Sequence, residues 1–231
     1  MNNQNIDTWL TNEKEENLMF DDHYPMWQVM IDRMSESNLQ DKTVLDFGCN
    51  QGGFLPVLYQ RKPFKMGIGI DVAKQAIEIA NENNKNLPLI YEVRDNLSHL
   101  SEEIDVAFSH EVLYLLGNLE QHAKEVFSAL KHDGVYYASL GCHTDNPLWS
   151  KWKKILERQS NIEIKNYSLN FIAKTFQKNG FHVFAQKFML NNFILIEEES
   201  EYFSSVADHL NYYWDYKILW KFKKREQNKN I

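Results

Sequence analysis

Val44-Leu45-Asp46-Phe47-Gly48-Cys49-Asn50-Gln51-Gly52-Gly53 is the stretch on which the fold turns. An apolar run closes on a carboxylate, a bend of small residues follows, and FLPVLYQ (54–60) opens a helix. Gly48 and Gly52 take dihedrals that a Cβ forbids and let a ligand approach the backbone. The helix start offers N–H groups with no intrahelical partner. Nicotinamide enzymes also use a glycine-rich bend between strand and helix. Asp46 separates the two cases, because a carboxylate beside a pyrophosphate costs Coulomb energy while a cationic ligand gains it.

Outward from this bend, short β-like runs alternate with amphipathic helical segments. TVLDFG (43–48), MGIGID (66–71), LIYEVR (89–94), IDVAFS (104–109) and VYYASLG (135–141) read as strands. Between the last two, Leu119, Ala123, Val126, Phe127 and Leu130 form one helical stripe, with Asn118 as cap and Gln121 in the capping-box position. Such alternation predicts a parallel sheet covered on both faces. Beyond residue 141, segments 148–158 and 168–179 read as helices, with Ser168 capping the second and Asn179-Gly180 ending it. Residues 181–190 read as a strand, 198–213 as helical, and YKILWKFKK (216–224) as a half-exposed last strand. Residues 1–40 stand apart, with Met26, Trp27, Met30, Ile31 and Met34 on one face, and read as a helical lid or equally as a covering helix without a role in function; residues 41–231 form the main domain.

Charge and composition narrow the function. The formal charge of -7 disfavours a nucleic-acid partner, which calls for a basic face. The one basic run, Lys221, Lys223, Lys224, Arg225 and Lys229, reads as a solvated strand end and tail. Cys49 and Cys142 form no disulfide framework and have no metal-ligand spacing. The polar, acidic start is no signal peptide, and no apolar run reaches the roughly 20 residues of a membrane span. Cytoplasm is the expected compartment.

Three acids fall at successive strand ends: Asp46, Asp71 and Asp95. In a parallel sheet these ends open on one edge, the usual ligand crevice. Asp71 can accept both hydroxyls of a ribose.

Together these segments resemble the motifs of class I S-adenosylmethionine-dependent methyltransferases. DFGCNQG resembles the first, GIGIDVAKQAIEIA the ribose-binding second, VRDN the adenine-side third and IDVAFSHEVLYLL the fourth-strand motif. LKHDGVYYASL resembles the fifth-strand region. The resemblance covers residues 42–141 well and the C-terminal strands more loosely. Asn50 departs from the pattern where the family has its middle glycine, and Asn is the residue that best tolerates left-handed dihedrals after glycine.

The resemblance implies a Rossmann-like α/β fold: a seven-stranded, mostly parallel sheet with helices on both faces and an antiparallel C-terminal strand. It implies S-adenosyl-L-methionine as cofactor. Asp46, Gly48 and Gly52 would hold its methionine part, Asp71 the ribose, and Asp95 with Asn96 the adenine; Tyr24, Cys49, Asn50 and Val72 would also contact it. Ser109 and His110 would lie near the transferable methyl.

Candidate bases by position are His110 and Glu111, then Tyr114 and His143, the last reading as a loop residue. From the lid, His23, Tyr24 and Trp27 could close over the cofactor. His122, His132 and His209 read as surface residues. The acid, acid, histidine set of quinone O-methyltransferases is incomplete, since Tyr114 and Leu115 follow Glu111 in the other two places. There is no Asn-Pro-Pro-Tyr run, and Cys142 lacks a preceding proline. By elimination the acceptor is a small molecule methylated on O or N. Two other readings stay open here: a nicotinamide-dependent oxidoreductase, and a non-catalytic nucleoside-binding module using Tyr202, Phe203, Tyr212, Tyr213 and Trp214 for partners.

Overall fold

The computed structural model describes residues 6–10, 13–190, 192–196 and 198–226; Lys229 of the basic tail lies outside them. Seven strands form one sheet: β1 Leu39–Phe47, β2 Phe64–Asp71, β3 Leu89–Val93, β4 Ile104–His110, β5 Leu130–Leu140, β6 Phe181–Lys187 and β7 Ile218–Lys224. Their order is β3-β2-β1-β4-β5-β7-β6. Neighbours from β3 to β5 are parallel, and β7 runs antiparallel to both β5 and β6. The strand order reverses between β1 and β4, so their C-terminal ends splay into a crevice.

Strand periodicity sends successive side chains to opposite faces. Val44, Phe108 and Tyr137 thus join the core under α1 (Glu13–Arg33), α2 (Phe54–Arg61) and α3 (Lys74–Asn83). Leu45, Ala107 and Tyr136 join the core under α4 (Leu119–Ala129), α5 (Trp149–Gln159) and α6 (Leu169–Lys178). Caps fix two helix starts: Asn118 Oδ1 accepts from Gln121 N at 3.0 Å, and Ser168 Oγ from Phe171 N at 3.1 Å.

The rear of α1 is part of the core. Met26, Trp27, Met30, Ile31 and Met34 are all buried, and side chains of this size contribute about 1.5–3 kcal/mol each on burial. Upstream, residues 6–10 form a strap. Lys74 N donates to Ile6 O at 2.9 Å, and Asn161 N donates to Trp9 O at 3.0 Å. The strap therefore ties the start of α3 to the end of α5.

Two expectations fail in the C-terminal region. Strand β7 is not half-exposed: it lies between β5 and β6, with Leu219, Trp220, Phe222 and Lys224 buried. Its lysines are structural. Lys224 Nζ donates to Leu130 O at 2.6 Å and Lys221 Nζ to Ser35 Oγ at 2.8 Å. Residues 198–213 are helical only from Val206, in α7 (Val206–Asn211), followed by a π-helical turn at Tyr212–Tyr216.

Candidate active site

A cavity of about 1620 Å³ opens at the C-terminal ends of β1 to β4. Its first wall is the bend after β1. Gly48 has φ 78°, and a Cβ there would stand 2.4 Å from Val112 Cγ2. Gly52 has φ 75°, with the Tyr91 ring and Ala80 too close for a side chain. Asn50, at φ 47°, takes the left-handed conformation between them. Tyr91 OH donates to Gly52 O at 3.0 Å and fastens the bend to β3.

Asp46 is 4% exposed and lines the cavity. Among the described residues it meets no hydrogen-bond donor and no cation. Burial, with the Asp71 carboxylate nearby, pushes its pKa up to about 8. Asp71 accepts from Asn50 N at 2.8 Å and Ala73 N at 2.9 Å, one bond to each oxygen. Burial raises its pKa, and the two N–H donors oppose that. Cys49, Asn50, Val72, Asp95 and Asn96 line the same cavity. Asn96 Nδ2 donates to Asp95 Oδ1 at 2.6 Å.

Three expected contacts are not on the wall. Gly52 shapes the bend from behind. Ser109 points the other way from His110, as strand alternation requires, and its Oγ lies 2.6 Å from Tyr136 OH in the core. Tyr24 is 39% exposed and stacks on Phe20 at 6.0 Å. His23 and Trp27, one helical turn apart, face the cavity, and Tyr24 is rotated about 100° from His23.

The end of β4 carries the polar chemistry. His110 Nδ1 is 2.6 Å from Ser139 Oγ, and Ser139 Oγ donates to Met30 Sδ at 3.3 Å. The short contact ties the ring to Ser139 through Nδ1 in either tautomer. Nε2 is buried without a hydrogen-bond partner among the described residues. Burial, then the Lys217 charge, holds the His110 pKa well below the ordinary value. The same two causes bring His23 down to about 4.

Glu111, at φ 55°, accepts from Gly141 N at 2.9 Å, from Tyr212 OH at 3.3 Å and from Lys217 Nζ. Burial alone would raise its pKa, yet the Lys217 ammonium holds it below the ordinary carboxylate value. Lys217 is 2% exposed, with its ammonium 5.5 Å from the ring centres of Phe188 and Tyr212.

Lys217 is the residue that sequence reasoning missed. The lysine ahead of an apolar strand was its only signal, and alternation there reads as an exposed face. His122 is also corrected: it is 5% exposed, packed on Phe47 at 4.6 Å, and burial lowers its pKa to about 3. His143 is buried too, with Nε2 2.7 Å from Tyr216 O. Tyr114 is buried on the cavity floor, where burial raises its pKa.

A family model described as "Methyltransferase domain" matches residues 23–186. No curated protein matches the chain at the sequence level. Solved structures share the fold at low identity. The methyltransferase complexed with the Haloferax volcanii Trm112 activator is 18% identical over 93% of this chain and 95% of that one, with a TM-score of 0.81. Geranyl diphosphate C-methyltransferase from Streptomyces coelicolor A3(2) is 14% identical over 93% and 84%, at 0.69. An S-adenosylmethionine-dependent methyltransferase from Mesorhizobium loti is 13% identical over 87% and 97%, at 0.64. The matched model spans well over half the sequence and includes every cavity-lining strand end, so the chain belongs to the methyltransferase-domain family and has the class I S-adenosylmethionine-dependent fold.

Proposed function

We propose that the protein transfers a methyl group from S-adenosyl-L-methionine to an oxygen or nitrogen of a small-molecule acceptor, by in-line displacement. One observation carries this: the buried Asp46 carboxyl, with no donor or cation on it among the described residues, lines the same cavity as His110. Burial drives this carboxyl towards its neutral form, with a pKa of about 8, and a ligand that brings a countercharge favours the ionised one. An amino acid sulfonium brings two positive charges, so the residues present fit that cofactor.

Asp46, Gly48, Cys49 and Asn50 would hold the methionine part, Asp71 and Val72 the ribose, and Asp95 and Asn96 the adenine. When bound, the cofactor supplies an electrophilic methyl whose C–S bond breaks, its electron pair leaving on sulfur, as the acceptor forms its bond to carbon. His110 Nε2 takes the proton that the acceptor heteroatom loses. A neutral imidazole suits this task. Glu111 has its oxygens engaged by Lys217, Gly141 and Tyr212, so it acts as a positioning residue that sets the turn after His110. Ile6, Trp9 and Leu10 from the strap, with His23 and Trp27 from α1, line the cavity. In this reading the N-terminal elements are the lid.

Calorimetry of S-adenosylhomocysteine binding to wild type and Asp46→Asn tests the assignment. A charged hydrogen bond is worth about 1.5–3 kcal/mol, so affinity should fall at least about tenfold. Equal affinities in two folded proteins sink it.

A further inference from the structure

The cavity is larger than one ligand needs. Small-molecule sites usually occupy about 300–1,000 Å³, against about 1620 Å³ here. The carboxylate-lined arm accounts for a nucleoside. A second arm has a different lining: Trp152 from α5, then Phe203, His209, Tyr212 and Tyr213 from the segment after β6.

These rings form a continuous wall. Trp152 meets Tyr212 at 4.6 Å and Phe203 at 5.3 Å between ring centres. Phe203 stacks on His209 at 3.9 Å, and Tyr213 lies 4.8 Å from Tyr212. The π-helical turn Tyr212–Tyr216 sets the last two side by side, and such turns recur at functional sites. Tyr212 joins the wall to the polar end, since its OH reaches Glu111, the residue next to His110.

We infer that this arm is the acceptor subsite, and that the acceptor is a planar aromatic or heteroaromatic ring bearing an ionisable O–H or N–H. This rests on the methyltransferase assignment above. A flat ring gains stacking energy from such a wall beyond its area burial, whereas a saturated skeleton of the same outline gains burial alone. His110 Nε2, buried and without a partner among the described residues, belongs to the same cavity and can hydrogen-bond the O–H or N–H of such a ring. The heteroatom points at His110 and the ring lies along Trp152, Phe203 and Tyr212.

The test uses the full-length protein saturated with S-adenosylhomocysteine, titrated by calorimetry with 1-naphthol and with its saturated analogue decahydro-1-naphthol. Naphthol should bind about fivefold or more tightly than the analogue, the worth of a stacked pair. Phe203→Leu, at a half-buried position, should erase most of that difference while S-adenosylhomocysteine affinity stays within about twofold. Tyr213→Leu gives the same readout should Phe203→Leu fail to fold. If S-adenosylhomocysteine binds but the two probes bind equally, or neither binds, the aromatic assignment is overturned while the cofactor site stands. If S-adenosylhomocysteine does not bind to the folded protein, the methyltransferase assignment falls first and takes this one with it.

Discussion

The imidazoles of His23 and His110 meet edge to face, 4.6 Å apart between ring centres at 68°. One ring comes from α1 and the other from the end of β4, so the contact joins the N-terminal helix to the cavity-lining end of that strand. Burial and the Lys217 charge keep both rings neutral. His110 Nε2 is buried with no hydrogen-bond partner among the described residues and His110 lines the cavity.

His110→Gln keeps a polar side chain of similar reach and removes the base. With a turned-over acceptor, kcat should fall about 10²-fold or more, the usual worth of a positioned base. The dissociation constant for S-adenosylhomocysteine should stay within about twofold. Loss of cofactor affinity with unchanged kcat would contradict the role.

Asp46 couples cofactor binding to pH. Its pKa of about 8 means that the cofactor-free protein at pH 7 holds it mostly protonated. A cation binds the ionised form, so affinity should rise as pH climbs from 6 to 8 and level off above. Calorimetry in buffers of different ionisation enthalpy should detect about one proton released per S-adenosylmethionine bound at pH 6.5. No release would disprove the coupling.

The same residue should cost stability. A carboxyl whose pKa rises on folding favours the folded state below the unfolded value of 3.8, and that advantage is lost as pH rises towards 8. Asp46→Asn should therefore stabilise the cofactor-free protein at pH 7 by about 2–4 kcal/mol, at 1.36 kcal/mol per pKa unit. Urea denaturation at pH 4 and pH 7 checks it. The gain should shrink at the lower pH.

Lys217→Met leaves the Glu111 carboxylate buried without its cation. Removing one partner of a buried pair costs about 3–5 kcal/mol, read as a lower urea midpoint. Adding Glu111→Gln should recover part of the loss, because the uncompensated charge is gone. Additive losses in the double variant would show that the two do not act as a pair.

Gly48→Ala must place a methyl where Val112 Cγ2 already lies, at a φ that L-residues rarely adopt. The left-handed backbone alone costs about 1–2 kcal/mol. S-adenosylhomocysteine affinity should drop severalfold, and Val112→Ala should restore only the steric part. Full restoration would mean that backbone strain is unimportant here.

The sequence by itself determined the sheet and the cofactor edge. Strand alternation, small residues at the bend and acids at strand ends are local patterns, and local sterics and charge give each a fixed meaning. Position 50 follows the same logic, since Asn tolerates the φ of 47° that the bend requires. Only the tertiary structure decided which side chains meet. Lys217 reaches Glu111 across 106 residues because β7 inserts between β5 and β6. No local pattern encodes that insertion, and a lysine in an alternating strand reads as solvated until a second strand covers it. Likewise Ser109 and Tyr24 are sequence neighbours of His110 and His23, which line the cavity. A single position on a strand reverses the face, and one on a helix turns the side chain by about 100°.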